Sequence, residues 1–480
     1  MNILLTGATG YIGRRLEERL PDDPDVRLRL FVRNKNKVRE HVRPKAEIVE
    51  GHTFDNELLG KAVQDIDTAY YLIHSMRSAD FQQLERISAE RFLQACVKAG
   101  VKRIVYLSGL GRREKAGRHL LSRISTGEIL SSQPEKIQTI RFRAGAIIGA
   151  GSGTFEILYH LVKRLPVMVT PKWVRLKTQP VAVSDVLKYL VMAKDVSCQE
   201  NSLVVDIGAE TMTVEQMLLQ IAEVLGLKRR IIPLPAWIAE ISAYWLLLFT
   251  PTPYTVAREF IETLKAEPVC QNNNAERYFP EIRLLTFKDA VKQAIDETKQ
   301  NQVISRWCDS SAAEVCDTVG QDDTAKAVLT DRKQYRFDNV SEAQVFASIL
   351  SIGGERGWFK YNILWEIRGL IDKLIGGYGI SRGRRDGRQL RIGDCLDFWK
   401  VVDLKQNQRL LLAAQMKVPG KAWLEFVIEP GGLLIQTAYF QPDGFWGKLY
   451  WYLMLPFHFF IFRDMAESII KRALTISFGD

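Results

Sequence analysis

Short apolar runs alternate with helically spaced apolar residues through the N-terminal part of the chain, as far as about Leu190. The runs are Ile3-Leu4-Leu5, Val26 to Val32, Ala46 to Glu50, Thr68 to Ile73, Arg103 to Leu107 and Gln138 to Phe142. Tyr11 to Leu20 and Phe81 to Ala99 carry apolar positions at helical spacing, and Gly100 is placed to end the second of these helices. Strands buried on both faces and alternating with helices predict a parallel, doubly wound α/β sheet. In such a sheet the ligand lies at the carboxyl ends of the strands. Thr211 to Leu225 reads as a further helix, with Thr213 and Gln216 at capping-box spacing.

Beyond it, Pro233, Pro235, Pro251 and Pro253 punctuate an apolar segment containing Trp237 and Trp245, whose spacing reads as core. Tyr159-His160 and Trp173 are candidates for a substrate cleft. From Asn301 to Arg332 the chain turns polar and periodicity weakens. The element order then changes. Tyr335-Arg336-Phe337 predicts a strand, Ser341 opens a helix, and a second helix runs from Asn362 to Ile375. Extended segments follow at Gln389 to Ile392, Leu396 to Leu404, Arg409 to Val418, Ala422 to Ile428 and Leu433 to Phe440. Turn signals at Gln406-Asn407, Pro419-Gly420 and Glu429 to Gly432 separate them, and a last helix is expected from Pro456 to Leu474. Three parts result: residues 1–300, a connection at 301–333, and residues 334–480.

At 480 residues the chain exceeds one ordinary core. Its net charge of +10 is spread along the sequence, which suits an anionic ligand or membrane surface and does not specify nucleic acid. No helix-turn-helix or base-stacking motif accompanies that charge, so no nucleic-acid partner is expected. Six cysteines form no C-x-x-C pair and no ligand cluster, which suits a reducing cytoplasm, and no metal is expected. The first strand begins too early to leave room for a signal peptide. Ala236 to Phe249 and Phe445 to Phe462 are apolar, but the first is short and holds Glu240, and the second holds Lys448, Pro456 and His458. Neither predicts a membrane span. Core or domain-interface packing is the simpler reading of both, with peripheral membrane contact left open.

Thr6-Gly7-Ala8-Thr9-Gly10-Tyr11-Ile12-Gly13 lies between the first strand and first helix, the context a dinucleotide site requires. Gly7 permits the turn, Gly10 lets the backbone approach a pyrophosphate, and Gly13 lets helix and strand pack closely. Thr9, Tyr11 and Ile12 complete the cradle, where backbone N–H groups and the helix dipole favour phosphate. A purely structural glycine turn is the alternative. The second strand ends in Phe31-Val32-Arg33-Asn34-Lys35, with no acid before Glu40. An acid there reads a ribose 2′-hydroxyl and an arginine a 2′-phosphate, so Arg33 favours NADP(H) over NAD(H). Arg33 and Lys35 as solvated loop charges are the competing reading.

Thr6 to Gly13, Val32-Arg33, Tyr106-Leu107-Ser108-Gly109, Arg141 to Gly145 and Gln179 to Val186 resemble extended or atypical short-chain dehydrogenase/reductases of the NmrA-like and sugar-epimerase branch. The resemblance covers roughly the first 300 residues by element order and implies a Rossmann fold with a smaller substrate lobe. It places Ile73, His74, Ser75, Ser108 and Gly145 on the nicotinamide side. Active members carry Tyr-x-x-x-Lys on the helix after the Ser-bearing strand, the Lys lowering the Tyr pKa for proton exchange. This chain has no Tyr between Leu107 and Leu158. The counterpart in spacing is His119 to Arg123, with His119 as acid or base and Arg123 as nearby charge, against a plain helix-surface His and Arg.

The C-terminal order of strand, two helices, antiparallel meander and long helix resembles the α+β helix-grip fold of START/SRPBCC-type domains, which implies a pocket for an apolar ligand. Arg382 to Asp386, Gly393-Asp394, Asp397 to Trp399 and Met416 to Leu424 also resemble a domain of unknown function appended to NmrA-like reductases in bacteria. Arg382, Arg384, Arg385 and Arg388 form a basic loop suited to phosphate or an acidic headgroup, or to a solvated hairpin. Phe398, Trp423, Phe426 and Tyr439 are core in either case. Two functions follow as expectations. One is an NADP(H)-dependent oxidoreductase acting on an apolar carbonyl, quinone or lipid-like molecule. The other is a non-catalytic NADP(H) sensor whose second domain binds a lipid or protein partner. The expected location is cytoplasmic, with contact at a membrane surface allowed, and the oligomeric state stays open.

Overall fold

The computed structural model describes residues 1–74, 81–170, 172–233, 254–309, 324, 327–354, 357–358, 361–375, 377, 379, 383–387 and 389–476. Packing divides the chain into two units, the division along the sequence falling between Ser311 and Ala312, inside the expected connection. That connection is shorter than 301–333. Val303 is buried, Ser305 Oγ donates to Tyr11 O at 2.8 Å, and Trp307 N–H donates to Gly151 O, all within the first unit. At its other end, a strand of the second unit begins at Leu329. Isolated apolar residues in a polar stretch supply little periodicity, which is why both ends read as linker.

The first unit is built on β1 (Asn2–Thr6), β2 (Arg27–Val32), β3 (Ala46–Glu50), β4 (Thr68–Tyr71), β5 (Arg103–Gly109), β6 (Gln138–Ala144) and β7 (Ser202–Ile207). All neighbours pair in parallel, in the order β7-β6-β5-β4-β1-β2-β3. This is the doubly wound arrangement that the alternation predicts. Successive residues serve opposite faces. Ile3 and Leu5 join one core with Leu30, Tyr70, Val105 and Phe142. Leu4 joins the other with Phe31, Tyr71, Ile104, Tyr106 and Phe92. Helices α1 (Tyr11–Arg19), α2 (Asn56–Val63), α3 (Phe81–Ala99) and α4 (Arg118–Leu130) connect the strands. Strand β7 was not anticipated. Its apolar residues are only Leu203, Val204, Val205 and Ile207, interrupted by buried Asp206, which is a short signal.

Helices α5 (Gly153–Arg164), α6 (Val183–Met192), α7 (Val214–Val224), α8 (Tyr254–Lys265) and α9 (Phe287–Lys299) complete the unit. The Thr213/Gln216 capping box on α7 is formed in both directions. Ala236 to Phe249, with Trp237 and Trp245, lies outside the described residues.

The second unit carries β8 (Leu329–Arg336), α10 (Glu342–Leu350), α11 (Asn362–Leu374), β9 (Cys395–Leu396), β10 (Trp399–Lys405), β11 (Arg409–Ala414), β12 (Gly420–Glu429), β13 (Leu433–Pro442) and α12 (Gly444–Ala473). Its sheet is antiparallel, ordered β8-β13-β12-β11-β10-β9, so the first strand closes against the last. The predicted turns stand, with Asn407 at φ 58° and Gly431 and Gly432 at 91° and 78°. Gln389 to Ile392 is not a strand. Helix α12 starts at Gly444, well before Pro456, which sits inside it at the cost of one backbone hydrogen bond. Its C-terminal half presents Phe462, Met465, Ala466, Ile469 and Ala473 to the core at helical spacing.

Of the four arginines of the basic loop, the two that are described, Arg384 and Arg385, are engaged within the unit. Arg385 is buried, with Nη2 3.1 Å from Asp394 Oδ2, and Arg384 Nη1 donates to Ile352 O at 2.8 Å. Arg382 and Arg388 lie outside the described residues. The charges of Arg384 and Arg385 hold the second unit together from within. Removing one member of such a buried pair leaves an uncompensated charge, at a cost of about 3–5 kcal/mol. Asp394→Ala is therefore expected to destabilise the second unit by about 3 kcal/mol in urea denaturation, with dinucleotide binding by the first unit unchanged.

Candidate functional site: a dinucleotide turn and a histidine–carboxylate cluster

The strand order reverses between β1 and β4, which opens a crevice at their carboxyl ends. The glycine-rich turn occupies that edge. Gly7 has φ +68°, and a Cβ there would lie 2.4 Å from Leu72 O, just past β4. A Cβ on Gly13 would lie 2.1 Å from Gly7 O and 2.8 Å from Ala8 Cα. Both positions are therefore glycine because the protein's own backbone closes on them. Gly10 differs: its Cβ would meet only Gly7 O, at 3.1 Å. The space beside Gly10 is where a ligand's pyrophosphate would need backbone approach. Gly10 caps α1 with no side-chain hydrogen bond, so the first-turn N–H groups of Tyr11, Ile12 and Gly13 are not satisfied by a capping side chain. The turn fits a dinucleotide phosphate.

Thr6 fixes the crevice floor, its Oγ1 donating to Tyr70 O at 2.9 Å and accepting from Leu72 N–H at 3.3 Å. Thr9 contributes its carbonyl, which accepts from Arg14 Nε. Tyr11 turns its side chain inward to donate to Ala150 O at 3.2 Å, and burial pushes its phenol pKa up. Only its backbone is left for an anion. Ile12 packs against the core.

Arg33 is exposed one residue past β2, at the same edge. The structure adds an acid that the local sequence did not show. Glu50, at the end of β3, stands opposite Val32 in register, accepts from Lys35 N–H at 3.2 Å and approaches Lys35 Nζ at 3.8 Å. A β2–β3 pairing brought it there across many intervening residues, so a scan along the chain could not find it.

Two histidine–carboxylate pairs stand past β4 and on α4. His74 Nδ1 lies 2.8 Å from Glu85 Oε1 on α3, and the other Glu85 oxygen accepts from Ser122 on α4. Burial, then the Arg123 charge, holds His74 below its ordinary pKa of 6.5. His119 Nε2 lies 2.6 Å from Glu259 Oε1 on α8, while its ring stacks on Phe81 at 4.3 Å and meets His74 edge-on at 6.2 Å. His119 Nδ1 is buried with no hydrogen-bond partner among the described residues. Glu85, Ser122 and Glu259 are the members that sequence reasoning missed. Each lies on a different helix from its histidine or is read as ordinary helix polarity, and only folding makes the pairs.

Ser108, at the end of β5, and Arg123 line a separate cavity of about 560 Å³ with Tyr106, Arg112, Arg141 and Arg143. The lining does not include His119 or His74, so the three expected catalytic residues divide between two sites. Tyr106 donates to Arg123 O at 3.0 Å, and burial pushes its pKa up to about 12. Arg143 is held bidentate by Asp206, at 2.6 and 2.8 Å. Ser108 Oγ and Arg141 Nε are buried with no hydrogen-bond partner among the described residues. These groups suit an anionic or oxyanionic ligand.

Gly145 is hemmed by Gln179 O, only 1.7 Å from where a Cβ would sit, so local packing accounts for its lack of a side chain. Ile73 packs against the β4–α3 core. Ser75 lies outside the described residues. His160 pairs within α5, Nε2 3.2 Å from Glu156 Oε2, and the Trp173 side chain lies outside the described set.

Residues 7–138 match a family model described as NAD(P)H-binding, and residues 324–465 match one described as a protein of unknown function, DUF2867. No curated protein matches the chain. Among solved structures, triphenylmethane reductase from Citrobacter sp. is 18% identical, with 62% of this chain and all of that chain covered and a TM-score of 0.51. A nucleoside-diphosphate-sugar epimerase from Staphylococcus aureus is 14% identical, with 61% and 100% covered and a TM-score of 0.50. These likenesses show a shared fold for the first unit. The NAD(P)H-binding match supports a nicotinamide cofactor and leaves NADP against NAD unresolved. The second unit falls within the match to the family of unknown function.

The turn's glycines separate folding from binding. Gly13→Ala, driven into Gly7 O, is expected to lower the melting temperature of the first unit by several degrees. Gly10→Ala is expected to melt near wild type and to weaken NADPH binding at least tenfold in a fluorescence titration. The depressed His74 pKa also has a stability consequence. Below the unfolded value of about 6.5 the unfolded chain takes up a proton that the native state resists, so this contribution is present above 6.5 and lost as pH falls. His74→Gln is expected to shrink the difference in urea midpoint between pH 7 and pH 5.

Proposed function

We propose that the first unit is an NADP(H)-dependent oxidoreductase acting on an apolar carbonyl, quinone or lipid-like substrate. The observation that carries this reading is that the glycine turn and the two histidine–carboxylate pairs share one strand edge. A nicotinamide dinucleotide held there by Gly7 to Gly13 supplies or accepts hydride. The residues of the chain do the rest. Exposed Arg33 at the end of β2 favours a 2′-phosphate, with Lys35 partly neutralised by Glu50. Glu259 fixes the His119 ring through Nε2, which leaves Nδ1 as the atom able to exchange a proton with substrate. Phe81, stacked on that ring, restricts its rotation and shields it from water. Ser108, in the separate cavity with Arg123, takes no part in this step. The apolar substrate class draws its support from the second unit, whose exposed apolar side chains are described below.

A second reading has one observation in its favour. Helix α4 contains neither Tyr nor Lys. Without the family's usual proton relay, the same dinucleotide site would serve as a non-catalytic sensor whose occupancy alters the second unit's binding of a lipid or protein.

The test is a titration with NADPH and NADH by tryptophan energy transfer, followed by turnover at the NADPH absorbance band against quinones and apolar carbonyls. Tighter NADPH binding with turnover is the expected result. Tight binding with no turnover across that panel would favour the sensor, and binding of neither nucleotide would overturn both. Arg33→Asp is expected to move the preference toward NADH by about tenfold or more; an unchanged ratio would shift phosphate recognition to Lys35. His119→Gln is expected to lower kcat about 100-fold, the low end for a lost general acid, with the nucleotide Kd unchanged.

A further inference from the structure

The second unit exposes large apolar side chains on two helices, at helical spacing. On α11 they are Ile363, Ile367, Leu370 and Leu374, each half or more exposed, with Leu374 at 72%. On α12 they include Phe445 at 72%, Trp446 at 71%, Tyr452, Leu453 and Phe460. Helical faces that meet water are ordinarily polar, so two such stripes call for a partner. One short segment ties the two helices. Lys417 N–H donates to Asp372 Oδ1 and its Nζ to Ile375 O, at the end of α11. Two residues on, Pro419 O accepts from Asp443 N–H, at the start of α12. The stripes therefore belong to one region of this unit.

We infer that this region is a docking face for the surface of an anionic lipid bilayer. Charge placement distinguishes a bilayer from a protein partner. Exposed Lys448 sits inside the α12 stripe between Trp446 and Leu449, and Lys373 sits beside Leu374 on α11. Lysine is depleted in the cores of protein interfaces, whereas at a bilayer it lays its stem along the apolar surface and keeps its ammonium among headgroups. Lys417 and Lys421 add exposed positive charge on the tying segment and the strand after it. Asp443 and Glu366 are exposed acids nearby, but between Gly444 and Phe462 the helix has no carboxylate at all. Trp and Tyr are the side chains that settle at the headgroup boundary, and α12 exposes both. No helix of the described residues is long and apolar enough to cross a membrane, so this contact lies along the surface.

The test is flotation of the full chain with vesicles of phosphatidylcholine alone and of phosphatidylcholine with phosphatidylglycerol. The expected result is flotation with the anionic vesicles, weakened by salt, and weakened about fivefold by Lys448→Gln. The triple change Phe445→Ser, Trp446→Ser and Leu453→Ser is expected to reduce flotation at least tenfold. Because these side chains are exposed, the circular dichroism spectrum and NADPH affinity should be unchanged. Flotation with neither vesicle overturns the inference. So does a dimer in sedimentation equilibrium that the triple change dissociates while flotation stays as in wild type.

Discussion

The first unit depends on two linked close approaches of backbone to backbone. Where β1 turns into α1, Gly7 lies against Leu72 just past β4, and Gly13 lies against Gly7. No side chain fits at either place. These contacts bring α1 down beside the sheet and keep the β1–β4 crevice open at its carboxyl edge, pinned from below by Thr6. They also direct the unsatisfied N–H groups of the helix terminus toward one spot, where a phosphate's charge completes them. Fold and cofactor site are set by the same few atoms.

Features encoded by neighbours along the chain were readable from the residues alone. Strand runs, the glycine turn, the Thr213/Gln216 capping box and the left-handed Asn407 and Gly431-Gly432 turns each have a local cause. Features encoded by pairing across the fold were not. Glu50 reaches Lys35 only because β2 and β3 run side by side, and Glu259 reaches His119 from a helix distant in sequence. Cumulative charge misleads in the same way: Arg384 and Arg385 read as a basic loop, yet one is paired with buried Asp394 and the other is bonded to a backbone carbonyl. Composition counts charges, and only the fold decides which of them face outward.

Helix α12 shows a further limit of pattern reading. Its two halves obey different rules. From Phe462 onward apolar residues at helical spacing enter the core, whereas from Phe445 to Phe460 many point to solvent. A hydropathy scale scores an apolar residue alike whether it faces the core or the solvent. Pro456 then looks like a natural start for a helix, although the chain carries it mid-helix.

The electrostatics of the histidine–carboxylate edge constrain any reaction there. Where a Tyr-x-x-x-Lys pair exchanges the proton, the lysine makes a phenol acidic enough to trade it near neutrality. Tyr106 cannot take over that task, since burial raises its pKa to about 12. His74 is pushed toward its neutral form by burial and the Arg123 charge, which ill suits it to take up a proton. Among the described residues gathered at this edge, that leaves His119, with Nε2 committed to Glu259 and Nδ1 buried without a partner among the described residues. Under the oxidoreductase proposal, an imidazole oriented by a carboxylate would do the work of an acidified phenol. Under the oxidoreductase reading, turnover should then be lost with His119 and be insensitive to substitution of Tyr106 by Phe, apart from the lost hydrogen bond to Arg123 O.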